Sequence, residues 1–246
     1  MLRGSWTIAV ILVATVACGV PSLVANLLRP GTNATMVFGR LWSRVILRAT
    51  GARVRYTGLE SLLAHQPCIY ISNHLSNVDI WALIAVLPVA TRFVAKQSLF
   101  RIPLFGTIMR TAGFVGIDRQ NRGRAIRSLQ VAAEKIRAGR PVILFAEGTR
   151  SRSGRLAPFK KGPFHLALQA GVPIVPIVIA GSGRVMPPGS MRVVPGPVDV
   201  RILPPIDVAP FLPDDLAGLM LAVRAPMEDV VGASPRQPET VEAGAR

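Results

Sequence analysis

Residues 72 to 79 read SNHLSNVD and lie between the apolar runs CIYI and IWALIAVL. They set His74 and Asp79 five positions apart in a polar gap. Ser76 with Asp79 fits the S-x-x-D pattern of a helix-capping box, in which the aspartate satisfies backbone N–H groups at a helix start. Capping leaves His74 without a reason. Just before a helix, the positive helix end favours a neutral imidazole, which can accept a proton. Asp79, about one turn in, can reach back to the other ring nitrogen and fix the tautomer, as the carboxylate does in Ser-His-Asp sites. No protein nucleophile accompanies the pair: AGSGR at 180–184 is not GxSxG, and Cys68 lies in an apolar run. The substrate must then supply the attacking hydroxyl, with His74 as general base.

A second polar cluster, EGTRSRSGR at 147–155, sets Arg150 in a turn with a glycine and a threonine. A guanidinium so placed can hold a phosphate with two parallel hydrogen bonds. Lys96 and Arg119 are further cationic candidates. Taken singly, each has a plainer explanation: Lys96 as an exposed strand end, Arg119 as a solvated loop charge, Glu147 as a partner that orients Arg150.

All these residues sit just past short apolar runs. CIYIS precedes a helix over roughly 77–87, and RFVA precedes a helical stretch over KQSLFRIPLFGTIMRTA. GFVGI precedes RGRAIRSLQVAAEKIRAG, PVILFA precedes PFKKGPFHLALQAG, and PIVPIVIAG follows. Near-continuous apolar strands alternating with helices predict an α/β fold, a central mostly parallel sheet with helices on both faces. Ligands of such sheets bind at the carboxyl ends of the strands, so clusters far apart in sequence converge on one site. PVDVRILPPI reads as a late strand and DDLAGLMLAVRAPMEDVV as a terminal helix. The expected division is an N-terminal membrane-associated helical segment over 1–50, a catalytic α/β domain over 51–232 and a disordered polar tail over 233–246.

Residues 6–28 carry no charge and, as a helix, extend about 34 Å, enough to cross a bilayer. Gly19 and Pro21 leave a re-entrant hairpin open as an alternative to a full span. A cleaved signal peptide competes with retention, but Arg29 and the basic stretch after it resist translocation. Residues 36–49 place Phe38, Leu41, Trp42, Val45, Ile46 and Ala49 at helical spacing, with Arg40, Arg44 and Arg48 in a stripe. That pattern suits an interfacial helix on an anionic leaflet; an amphipathic helix covering the core is the alternative. The net charge of +16 is uneven, with no acid before Glu60 and none between Glu147 and Asp199. Such fields suit anionic partners. Aromatics make up only 6% of the chain and sit mostly in apolar runs, which argues against a nucleic-acid surface. Cys18 and Cys68 form no CxxC pair, so neither a zinc site nor a disulfide is indicated. A cytoplasmic-membrane protein with its catalytic domain facing the cytoplasm is expected.

NHLSNVD matches the NHxxxxD signature of the glycerophospholipid acyltransferases, and three more blocks follow in that family's order: GFVGIDR, FAEGTRS and VPIVPI. The segments FVAKQSLFRIPLFGTIMRTAG and PFKKGPFHLALQAG are also similar, so the resemblance covers roughly 55–205. Ala146 stands where the family usually has proline. The resemblance implies acyl transfer from acyl-CoA or acyl carrier protein to a glycerophospholipid hydroxyl, most often the sn-2 position of lysophosphatidic acid. It implies His74 as base and Asp79 as its orienter, with Lys96, Arg119, Glu147, Gly148, Thr149 and Arg150 binding the acceptor. Neither a metal nor another cofactor is implied. Other lysolipids or glycerol 3-phosphate are alternative acceptors, and a non-catalytic basic module for membranes or nucleic acid is the alternative of another class. Donors for the developing oxyanion are not named by the sequence; amides after His74 are one possibility.

Overall fold

The computed structural model describes residues 2–62, 66–118, 121–211 and 215–233, with Arg122 described by its backbone alone. Arg119 and the tail from 234 to 246 lie outside the described residues. In chain order the helices are α1 Leu2–Leu28, α2 Ala34–Thr50, α3 Asn77–Val86, α4 Phe105–Thr111, α5 Arg122–Arg137, α6 Gly162–Ala170, α7 Ser182–Val185 and α8 Leu216–Gly232. The strands are β1 Ala52–Thr57, β2 Ile69–Ser72, β3 Arg92–Lys96, β4 Val115–Ile117, β5 Val142–Phe145, β6 Ile174–Ala180 and β7 Gly196–Ile202.

The strands form one seven-stranded sheet in the order β1-β7-β6-β2-β5-β3-β4. All neighbours are parallel except β6 and β7. The expected α/β architecture is therefore present, with β1 and β7 running opposite to the other five strands. Side chains alternate between two cores, as the pleat requires. Tyr70, Ile143, Val175 and Ile177 face the core closed by α2 and α3, whereas Ile69, Ile71, Val142, Leu144 and Ile174 face the one closed by α5, α6 and α8. Burial on both faces explains why these strands read as unbroken apolar runs. β1 was hidden by the opposite pattern: in ARVRYT exposed arginines alternate with half-buried residues.

Two segments differ from the expected elements. The stretch after β3 is not one helix but a 3-10 turn over Gln97–Arg101 followed by α4. Pro103 offers no N–H to continue a helix, and Leu104 takes φ +58 while the Phe105 amide donates to the Pro103 carbonyl at 2.6 Å. That is a tight, strained γ-turn, and it aims α4 across the α1–α2 pair. In the N-terminal region Gly19 and Pro21 do not make a hairpin, because α1 runs unbroken through both. α2 supplies Met36, Ile46 and Leu47 to the core, so it covers the sheet as an amphipathic helix does. Of its three stripe arginines, Arg44 and Arg48 are exposed, while Arg40 Nη2 donates at 2.6 Å to the Leu87 carbonyl at the end of α3.

Candidate active site

The carboxyl ends of β2, β5 and β3 are neighbours in the sheet, and each delivers a polar cluster to the same edge. His74 leaves the end of β2 two residues before the cap of α3. The capping box is present: the Ser76 hydroxyl accepts from the Val78 amide at 3.2 Å, and Asp79 returns to the Ser76 amide at 2.8 Å. The same Asp79 Oδ2 accepts from the Leu75 amide at 2.6 Å and pairs with His74 Nδ1 at 2.8 Å. Capping and ring orientation are thus functions of one fully buried oxygen. With Nδ1 held by Asp79, Nε2 is the ring atom left for a substrate. These bonds also remove the Leu75, Ser76 and Val78 amides as oxyanion donors.

Phe145, the last residue of β5, lies opposite Ser72 in register and stacks on the His74 ring at 3.9 Å between centroids and 13° between planes. In the sequence it reads only as the end of an apolar strand; its register against β2 is what brings it to the imidazole. Asn73 is buried and mimics a strand residue, its Nδ2 donating to the Ile179 carbonyl at 2.9 Å and its Oδ1 accepting from the Ile179 amide at 2.7 Å. It ties the histidine loop to β6.

Lys96, Thr149 and Arg150 reach the same edge and, with His74 and Asn77, line one end of a cavity of about 570 Å³. Arg150 is oriented by Asn77, whose Oδ1 accepts from Nη1 at 3.2 Å, and not by Glu147. Glu147 is buried away from the cavity, 2% exposed. Its Oε1 accepts from the His74 amide at 3.2 Å and its Oε2 from the Ala157 amide at 3.3 Å. Burial pushes its carboxyl up to about 7, against the opposing effect of those two amides. Through these two amides it braces the histidine loop. Gly148 sits between them at φ +71, the left-handed conformation that lets Glu147 turn inward while Thr149 and Arg150 face the cavity. Arg224 of α8 completes the brace, donating at 2.9 Å to the Ala157 carbonyl and at 3.1 Å to that of Leu156, its guanidinium 5.0 Å from the Phe159 ring centroid.

Beyond its polar end the cavity is apolar. It follows β3 from Lys96 to Phe93 and is walled by Trp42 of α2, Ile84 of α3 and Met109 of α4. Its remaining wall is α1, through Thr15, Cys18, Gly19 and Ser22. A Cβ at Gly19 would crowd the end of the Ile108 side chain, which would have to shift.

An imidazole with a buried carboxylate behind it, and an apolar cavity lined at the same edge by Lys96 and Arg150, are features of an α/β enzyme site that suits a polar-headed ligand with an apolar tail. A family model described as Acyltransferase matches residues 53–180, and the chain belongs to that family of enzymes. It is 37% identical over 213 residues to a 1-acyl-sn-glycerol-3-phosphate acyltransferase of Limnanthes douglasii, covering 85% of this chain and 74% of that protein. It is 33% identical over 235 residues to the protein of that name from Saccharomyces cerevisiae, covering 92% of this chain and 77% of that one. The crystal structure of the 1-acyl-sn-glycerophosphate (LPA) acyltransferase PlsC from Thermotoga maritima superposes with a TM-score of 0.83 at 26% identity, covering 96% of this chain and 97% of that one.

Proposed function

We propose that this enzyme transfers an acyl chain from an acyl-CoA or acyl-carrier-protein thioester to the sn-2 hydroxyl of lysophosphatidic acid, giving phosphatidic acid and free thiol. The observation that carries the reading is the His74–Asp79 pair at the cationic end of an apolar cavity. The names of the relatives agree with it.

His74 Nε2 takes the proton of the acceptor hydroxyl as the oxygen attacks the thioester carbonyl. The tetrahedral intermediate collapses with loss of thiolate, and the imidazolium returns the proton to sulfur. Asp79 keeps the tautomer and orientation, and Phe145 holds the ring plane. Lys96 and Arg150 meet the acceptor phosphate, Arg150 with the planar fork that suits it. The apolar cavity takes a hydrocarbon chain. This mechanism uses no metal ion.

Both lipids partition into bilayers, and α1 gives the site a way to reach them. The side of α1 that packs on the protein carries small or polar residues, Gly4, Thr7, Ala14, Cys18, Gly19 and Ser22. Large apolar residues face outward: Leu12, Val13, Val16 and Val24 are about half exposed or more. A helix with its apolar side turned out is built for lipid. On this reading α1 lies against the cytoplasmic membrane with the catalytic domain on the cytoplasmic side.

The test is thiol release from palmitoyl-CoA and from palmitoyl-acyl carrier protein over a panel of acceptors. Release that depends on lysophosphatidic acid, and falls roughly 10²–10⁴-fold in His74→Ala, is the expected result. Release without any acceptor, or wild-type turnover by a folded His74→Ala protein, would end the reading.

A further inference from the structure

Residues 186–195 join α7 to β7 beside the active site, for the Met186 carbonyl accepts a 2.7 Å hydrogen bond from the Ser76 hydroxyl at the cap of α3. The segment is firmly held. Val193 is buried in the core, the Val194 amide donates to the Val185 carbonyl at 2.9 Å, and the Arg192 amide to the Ser190 hydroxyl at 3.0 Å. Yet it presents large apolar side chains to solvent, Met191 at 67% and Val194 at 40% exposure, with exposed Arg192 between them in sequence.

The first turn of α1 packs on this segment. A Cβ at Gly4 would collide with the Met191 carbonyl, and one at Gly51 would lie 2.7 Å from Arg3 Nη1 and 2.8 Å from Pro195 Cβ. Leu2 and Trp6, at 91% and 62% exposure, extend from the same turn. Exposed Met191, Arg192 and Val194 thus lie beside the first turn of α1, with Arg3 close to Pro195. The chain carries no acidic residue before Glu60 and none between Glu147 and Asp199.

We infer that residues 186–195 are a second membrane contact and that their partner is an anionic bilayer surface. Met191 and Val194 enter the headgroup layer, while Arg192 and Arg3 meet lipid phosphates. The inference rests on the membrane reading of α1 and adds to it. One helix fixes a line of contact and leaves the body free to roll about that line. A second contact off the helix axis stops the roll, and because this one is hydrogen-bonded to the cap of α3, it sets His74 at a fixed height over the lipid. The uncharged outer face of α1, the helix on which this segment packs, favours lipid over an acidic protein, which would offer nothing to that face.

The test places an environment-sensitive fluorophore at Met191→Cys and, in a separate full-length protein, at Val16→Cys on the outer face of α1. Cys18 and Cys68 are buried and compete little for the label. With vesicles of phosphatidylcholine and phosphatidylglycerol, both labels should shift to shorter wavelength, and the shift at 191 should shrink with phosphatidylcholine alone or at high salt. Met191→Ser with Arg192→Gln should lower the rate on vesicle-borne acceptor about tenfold and leave the rate on a monomeric short-chain acceptor unchanged. If label 16 moved into lipid while label 191 stayed in water, this inference would be overturned and the membrane role of α1 would stand. If neither label moved, both would fall. A shift at 191 produced by an acidic carrier protein and not by vesicles would also overturn it.

Discussion

A single oxygen, Asp79 Oδ2, both caps α3 and orients His74, so the histidine proposed as general base is held by the same bonds that start the helix. Glu147 holds it from the other side through the His74 main chain, and the cost of that brace is a carboxylate buried without a cation in direct contact. Its carboxyl is raised from the ordinary 4.5 to about 7, so proton binding favours the folded state. The associated stability is fully present below pH 4.5 and is lost as pH rises through about 7. At 1.36 kcal/mol per pKa unit the change is roughly 3 kcal/mol. Glu147→Gln has no such titration, although it loses a hydrogen bond because its amide nitrogen cannot accept from a backbone N–H. Denaturant melts of the two proteins from pH 4.5 to 7.5 should therefore show wild type losing about 3 kcal/mol relative to the variant; a pH-independent difference would refute the titration. The two residues differ in how far the sequence exposes them. The spacing of His74 and Asp79 is local and announces a helix start, whereas Glu147 acts through amides 73 and 10 residues away that no sequence pattern marks.

Among the elements, α8 has a positional effect on the site. Arg224 grips the carbonyls of Leu156 and Ala157, the Ala157 amide is bound by Glu147, and Glu147 holds the His74 amide, so α8 is tied to the histidine loop by consecutive hydrogen bonds. Arg224 is a positioning residue on this account, and its charge also draws the Glu147 carboxyl down. Arg224→Gln should lower kcat about tenfold with little change in KM for the acceptor. It should also move the acid limb of the pH–rate profile to higher pH, since Glu147 without that cation stays protonated further up. Arg224→Lys should restore the limb and only part of the rate, because one ammonium cannot span both carbonyls. A lowered rate with an unmoved limb would leave Arg224 a packing residue. The strands and helices that converge here were legible because parallel strands buried on both faces cannot hide their apolar runs. α4 was less so: its start depends on the turn at Pro103 and Leu104, where a helix-like apolar pattern runs across a break in the backbone. α1 was legible as one long helix, and the hairpin that Gly19 and Pro21 left open is not formed, since the helix runs through both.

On the scale of the whole molecule, the protein has two kinds of outside. The sheet and its helices bury apolar residues and face water with charge, while α1 does the reverse over its full length of about 40 Å. Thr15 shows why the inversion is stable: its hydroxyl accepts from Trp42 Nε1 at 3.0 Å and donates to the Ile11 carbonyl at 2.6 Å, so the inward polar groups find partners in the protein. Asn26 does the same with the Thr35 hydroxyl at 2.7 Å. The outward residues contribute little to folding in water, because about half or more of their surface stays exposed in the folded protein. Replacing Leu12, Val16 and Val20 together with serine should thus leave Tm within a degree or two in a non-ionic detergent. Each replacement removes about 1 kcal/mol of apolar burial in lipid, so the three together should weaken partition into vesicles roughly 100-fold. Activity on vesicle-borne lysophosphatidic acid should fall with the bound fraction, and activity on a short-chain acceptor dissolved as monomer should not. Co-sedimentation with vesicles, run beside the two assays, separates the possibilities: unchanged partition would mean that α1 faces something other than lipid, and a fall in both activities would mean that its outer residues support the cavity wall and not the membrane contact.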